Sequence, residues 1–124
     1  MKYMLDSNVI IAAVLASSEA LRERMAACDE GDLATSVVAY AEVAHGSVNG
    51  KPPPIDILDR FLAEIPVLPF DRAAGRAYAR LPFVRGSYDR LIAAHAVSLE
   101  LTVITNNVAH FADVPGLRVE SWTE

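Results

Sequence analysis

Three carboxylates in this chain stand where a carboxylate is expensive to keep. Asp6 closes a short apolar run that begins at Lys2. Glu42 lies in the middle of Val37-Val38-Ala39-Tyr40-Ala41-Glu42-Val43-Ala44 and shares a helical face with Val38 and Ala39. Asp89 shares a face with Ile92, Ala93 and Ala96. A carboxylate in apolar surroundings must be neutralised, paired or bound to a metal. Hard cations such as Mg²⁺ and Mn²⁺ take oxygen ligands of this kind. Such an ion can activate a water and stabilise the charge of a phosphoryl transition state. Taken singly, each acid also has a structural reading. Asp6 can cap a helix, Asp89 suits a helix N-terminus, and Glu42 can pair with an arginine. Their joint placement points to chemistry.

The elements that must position them follow from periodicity and breakers. Lys2–Leu5 reads as a strand, and Ser7 as the cap of a helix over Asn8–Leu15. Ser18–Cys28 reads as an amphipathic helix that Gly31 follows. Asp32–Thr35 reads as a second strand, and Ser36 caps a helix over Val37–His45 that Gly46 ends. The stretch Gly46–Pro54 is a loop. Ile55–Ile65 is a helix, Val67–Phe70 a third strand, and Asp71 caps a helix over Arg72–Leu81. Ser87 or Gly86 opens a helix running to about Glu100. Thr102–Thr105 is a fourth strand, with a fifth over Leu117–Glu120. Strands that alternate with helices predict an α/β fold with a parallel sheet covered by helices. Ligands of such sheets sit at the carboxyl ends of the strands. All three acids are expected to converge on that edge, each from a strand-to-helix junction.

Composition sets the bounds. The chain has 124 residues, 52% of them apolar and 22% charged. One globular domain over 1–124 is expected, and disorder, coiled coil and collagen-like sequence are excluded. A single cysteine, Cys28, rules out an internal disulfide and suits a reducing compartment. The longest apolar run, Val9–Ala16, is too short for a membrane helix, and Asp6 interrupts any signal-peptide core. A soluble cytoplasmic protein with its native N-terminus is expected.

The net charge of −5 argues against a nucleic-acid binder, but the charge is uneven. Residues 72–90 carry Arg72, Arg76, Arg80, Arg85 and Arg90 against one acid, Asp89. That segment is +4, leaving −9 on the rest. Arg72, Arg76 and Arg80 form one helical stripe that leads toward Asp89. Arginine forks grip phosphates without reading sequence. Of the histidines, His95 reads as a satisfied core residue. His45 is placed near Glu42, and His110 near the acids. Trp122 is expected to pack the C-terminal end onto the sheet.

These motifs together resemble the PIN-domain family, and within it the VapC-like toxin ribonucleases of bacterial and archaeal toxin–antitoxin pairs. Met4-Leu5-Asp6-Ser7-Asn8 resembles the first acid motif of the family. Thr35–Gly46 resembles the second, and Tyr88–Ala96 the third. Val103-Ile104-Thr105-Asn106-Asn107 through Phe111, then Val114–Trp122, resembles its C-terminal end. The resemblance covers essentially the whole chain.

The resemblance implies a three-layer α/β/α sandwich with a central parallel sheet. It implies an endoribonuclease dependent on Mg²⁺ or Mn²⁺, with Asp6, Glu42 and Asp89 as the catalytic, metal-binding acids. Water activated by the metal would attack the scissile phosphate in line and leave a 5′-phosphate. Ser7, Asn8, Thr105, Asn106 and His110 would lie near the site. Many relatives carry a fourth acid where this chain has Asn107 or His110; Asn107 would be a neutral oxygen ligand. The implied partners are the RNA substrate, a cognate antitoxin that covers the site, and a second copy in a homodimer. DNA would be reached only through the antitoxin, and no membrane is involved.

Other readings fare worse. A phosphatase using Asp6 wants a carboxylate two residues later, where Asn8 stands. A phospho-accepting receiver domain wants a lysine near its last strands, and no lysine follows Lys51. The main alternative is a PIN-like fold that has lost catalysis and only binds.

Overall fold

The computed structural model describes residues 1–82 and 87–123. In chain order the elements are β1 (Tyr3–Leu5), α1 (Ser7–Val14), α2 (Glu19–Ala26), β2 (Leu33–Ser36), α3 (Val37–Val48) and α4 (Ile55–Phe61). There follow β3 (Val67–Leu68), α5 (Arg72–Ala79), α6 (Tyr88–Leu99), β4 (Thr102–Ile104) and β5 (Val119–Glu120). Single 3-10 turns cover Leu62–Glu64 and Val108–His110.

The five strands form one parallel sheet in the order β3-β2-β1-β4-β5. The chain steps outward from β1 to β3, then returns past β1 to β4. Right-handed crossovers place the helices of these two journeys on opposite faces. Successive side chains of a strand point to opposite faces, so a sheet covered on both sides needs apolar residues at consecutive positions. Met4 and Leu5 on β1, and Val103 and Ile104 on β4, are all fully buried. The layered α/β/α arrangement is the one expected.

The reversal of strand order falls between β1 and β4. Leu5 pairs with Thr35 on one side and with Ile104 on the other. The next residue of each strand therefore comes level at the carboxyl edge: Asp6, Ser36 and Thr105. Crevices at such a reversal are where open α/β sheets bind ligands.

Several boundaries differ from the sequence expectation, each for a local reason. Asp6, not Ser7, caps α1: its carboxylate accepts from the Ser7 N–H at 2.8 Å. Gly46 does not end α3, which runs on to Val48. The turn is made instead by Gly50, with φ +88°, and the Lys51 N–H returns to the Gly46 carbonyl at 2.9 Å. β3 stops at Leu68, because Pro69 has no N–H to offer the ladder. The helix over 55–65 gives way to a 3-10 turn at Leu62. Asp71 and Ser87 cap α5 and α6 as expected, accepting from Ala74 N–H and Arg90 N–H at 3.0 and 3.2 Å. The alternative start at Gly86 lies outside the described residues. Among the described residues, no helix is long and apolar enough to cross a membrane.

Candidate active site

Asp6 is the anchor of the site. It ends β1 and is 1% exposed. Its Oδ1 accepts from the backbone of Ser7, and its Oδ2 accepts from the Thr105 hydroxyl at 2.8 Å. Since Thr105 follows β4, that bond crosses the reversal point and fixes the carboxyl plane between two central strands. Burial pushes the Asp6 carboxyl above its ordinary range. The Thr105 and Ser7 hydrogen bonds oppose this, and the charge of Asp89 adds to it.

Glu42 reaches the same edge from α3, six residues past the end of β2. Its Oε1 is fully buried and, among the described residues, has no hydrogen-bond partner. Desolvation raises its carboxyl too. The Ser7 hydroxyl beside it works the other way, and the charges of Asp6 and Asp89 raise it further. Asp89 stands in the first turn of α6. It does not arrive from a strand-to-helix junction as expected. α5 and α6 form a helical hairpin between β3 and β4, and Asp89 opens the second helix of that pair.

The three acids thus feel one another's charge. Among the described residues, however, no three His, Cys, Asp or Glu side chains stand together as a ready metal shell. What fits a hard cation is the donor chemistry: three carboxylates, one with an orphaned buried oxygen, two of them pushed toward the neutral form by burial.

The supporting residues sort clearly. Ser7 is buried beside Asp6, whereas Asn8 and Asn106 are exposed. Asn107 enters through its backbone, donating to Thr105 Oγ1 at 3.0 Å. His110 places Nδ1 3.0 Å from Asp89 Oδ2. His45 is exposed and, among the described residues, forms no ion pair with Glu42. His95 is buried, with Nδ1 2.7 Å from Ser36 Oγ and its ring edge-on to Phe70. Burial lowers its basicity, with the charge of Asp71 acting against that.

One arginine is reassigned. Arg90 is not a free phosphate grip: its side chain is 10% exposed and Nη2 bonds Asp113 Oδ2 at 2.6 Å. Sequence reading misses Asp113, which has no local signal and lies 23 residues further on. Arg72 and Arg76 on α5, and Arg80 at its C-cap, are exposed. Arg85 lies outside the described residues.

The raised carboxyls make a prediction about stability. The folded chain holds these two protons to higher pH than the unfolded chain, whose values lie near 3.8 and 4.5. From those values up to the raised ones, the folded state binds more protons, so this contribution to stability falls as pH rises. In EDTA, calorimetry should show Asp6→Asn/Glu42→Gln raising the melting temperature more at about pH 7 than at about pH 5. An equal or reversed ordering would contradict the burial of these charges.

The fold is that of a known family. Residues 3–117 match the PIN domain, and the chain belongs to the PIN-domain family. Its relatives there are VapC proteins. It is 32% identical to the tRNA(fMet)-specific endonuclease VapC of Shigella flexneri, with 99% of each chain covered. Among solved structures it is similar to VapBC2 from Rickettsia felis bound to a promoter DNA fragment. The TM-score is 0.86 at 26% identity, over 98% of this chain and 99% of that one. It is also similar to DNA-bound VapBC from Salmonella typhimurium, with a TM-score of 0.81 and 32% identity over 98% of each chain.

Proposed function

We propose that this chain is an endoribonuclease, the toxin half of a toxin–antitoxin pair, acting in the cytoplasm. The observation that carries the mechanism is Glu42 Oε1, buried and without a hydrogen-bond partner among the described residues, on a carboxyl that the charges of Asp6 and Asp89 raise further. Asp6, Glu42 and Asp89 would hold Mg²⁺ or Mn²⁺, with Asn107 as a neutral oxygen donor. When bound, such an ion supplies positive charge at the scissile phosphate and lowers the pKa of water.

The chain's own residues supply position. Thr105 and the Ser7 backbone fix Asp6, so the first ligand costs little ordering when substrate arrives. The charge already on the three acids repels a bare phosphodiester, which makes catalysis conditional on a cation. Arg72, Arg76 and Arg80 supply the opposite sign on α5. α6 begins at the acids and α5 packs along it, so the Arg80 end of the stripe connects to that same edge. An antitoxin would cover the acids, and DNA would be reached only through it. That agrees with the VapBC relatives solved on DNA. A second copy of this chain is the other partner.

Cleavage of a mixed RNA pool by the antitoxin-free protein tests this reading. Cutting is expected in Mg²⁺ or Mn²⁺, and not in EDTA or with Asp89→Asn. A folded protein that neither cuts nor binds a divalent ion would be a PIN fold kept for binding alone. For the arginine stripe, Arg76→Ala and Arg80→Ala should each weaken RNA binding. Each should also make the logarithmic salt dependence shallower, by about 0.7 for every phosphate that is no longer neutralised. An unchanged slope would remove the stripe from the RNA surface.

A further inference from the structure

Residues 105–110 join two of the three acids through one short run of chain. At one end the Thr105 hydroxyl donates to Asp6 Oδ2 at 2.8 Å. The same hydroxyl oxygen accepts from the Asn107 N–H at 3.0 Å, and the Asn107 carbonyl accepts from the His110 N–H at 2.9 Å. At the other end His110 Nδ1 lies 3.0 Å from Asp89 Oδ2. Phe111 and Val114, both buried, pin the turn to the core. The backbone of His110 is therefore set by the same turn that carries the Thr105 hydroxyl to Asp6, while its imidazole, 61% exposed, has Asp89 as its hydrogen-bond partner among the described residues.

Asp89 needs such a hold. Asp6 is locked by two donors in the interior, but Asp89 is 29% exposed, and among the described residues its carboxylate bonds only His110. A solvated carboxylate on the first turn of a helix has several staggered rotamers open to it. Groups that hydrogen-bond a ligating carboxylate orient it without touching the ion.

We propose that His110 is a positioning residue, which holds Asp89 Oδ2 by Nδ1–H and so presents the remaining oxygen, Oδ1, for the cation shared with Asp6. This rests on the nuclease reading above. The imidazole donates from Nδ1 in one neutral tautomer and as the cation, so the contact does not depend on its charge.

The test is a Mn²⁺ titration by calorimetry on wild type, His110→Ala, His110→Asn and Asp89→Asn, with melting curves taken in EDTA. Asparagine carries its Nδ2 on Cγ, where histidine carries Nδ1, so it restores the donor without the ring. His110→Ala is expected to bind Mn²⁺ about tenfold more weakly, the lower end of the effect for groups that orient metal ligands. His110→Asn is expected to recover most of that loss. Melting temperatures in EDTA should not move, and RNA cleavage should lose kcat with KM unchanged. Wild-type affinity in His110→Ala, with affinity lost in Asp89→Asn, would overturn the positioning role and leave the metal reading intact. Tighter binding in His110→Ala would mean that the imidazole competes with the ion, and would also overturn it. No Mn²⁺ binding by the wild type would overturn both readings together.

Discussion

Asp6→Asn is expected to lower RNA cleavage about 10³-fold, roughly 4 kcal/mol of transition-state stabilisation, while the protein keeps its fold. The substitution is close to isosteric, and the amide oxygen can still accept from the Ser7 N–H that caps α1. Thr105 keeps its acceptor role toward Asn107 and its oxygen can also accept a hydrogen bond from the new amide N–H. What disappears is the negative charge at the point where β1 and β4 part. That charge is unfavourable to the free protein, since burial and Asp89 both push the carboxyl toward its neutral form. The melting temperature in EDTA should therefore hold or rise. A stable variant that retains cleavage within about tenfold of wild type would remove Asp6 from the chemistry.

Trp122→Ala is expected to have the largest effect on stability, a loss of about 3–5 kcal/mol. The indole is 1% exposed and meets Tyr3 edge-on at 4.8 Å, so it ties the C-terminal end to β1. The Arg24 guanidinium lies 5.0 Å from the ring centroid, and Nε1–H donates to Glu120 at 3.0 Å. Truncation opens a cavity at the β5 side of the sheet and frees both polar neighbours. In a domain whose total stability is on the order of 5–15 kcal/mol, that should lower the melting temperature by about 10–20 °C. A shift of under about 3 °C would show that the C-terminal end is held by something other than this ring.

Much of the site is legible in the sequence because it obeys short-range rules. An acid that ends an apolar strand, an acid inside a helix rich in valine and alanine, and an acid in a capped first turn each stand out locally. Alternation of strand and helix then brings Asp6 and Glu42 to one edge. Trp122 is legible for the same reason, as the one large aromatic at the end of the chain. What is not legible depends on partners far apart in sequence. Arg90 looks like one more cation in a basic segment until Asp113 folds back on it. The role of Thr105 becomes visible only when β4 is seated beside β1. The helices read over Arg72–Leu81 and from Ser87 already follow one another with no strand between, so the strand-to-helix junction expected for Asp89 does not form. A glycine after a helical run usually stops it, which singles out Gly46, whereas Gly50 takes the left-handed turn.

The most direct test of the three-acid site is a crystal of the antitoxin-free protein soaked in Mn²⁺ and measured for anomalous scattering. An anomalous peak is expected in contact with Asp6, Glu42 and Asp89, and absent when Asp89 is replaced by asparagine. A Mn²⁺-soaked crystal with the acids in place and no peak among them, or a peak bound elsewhere, would contradict it.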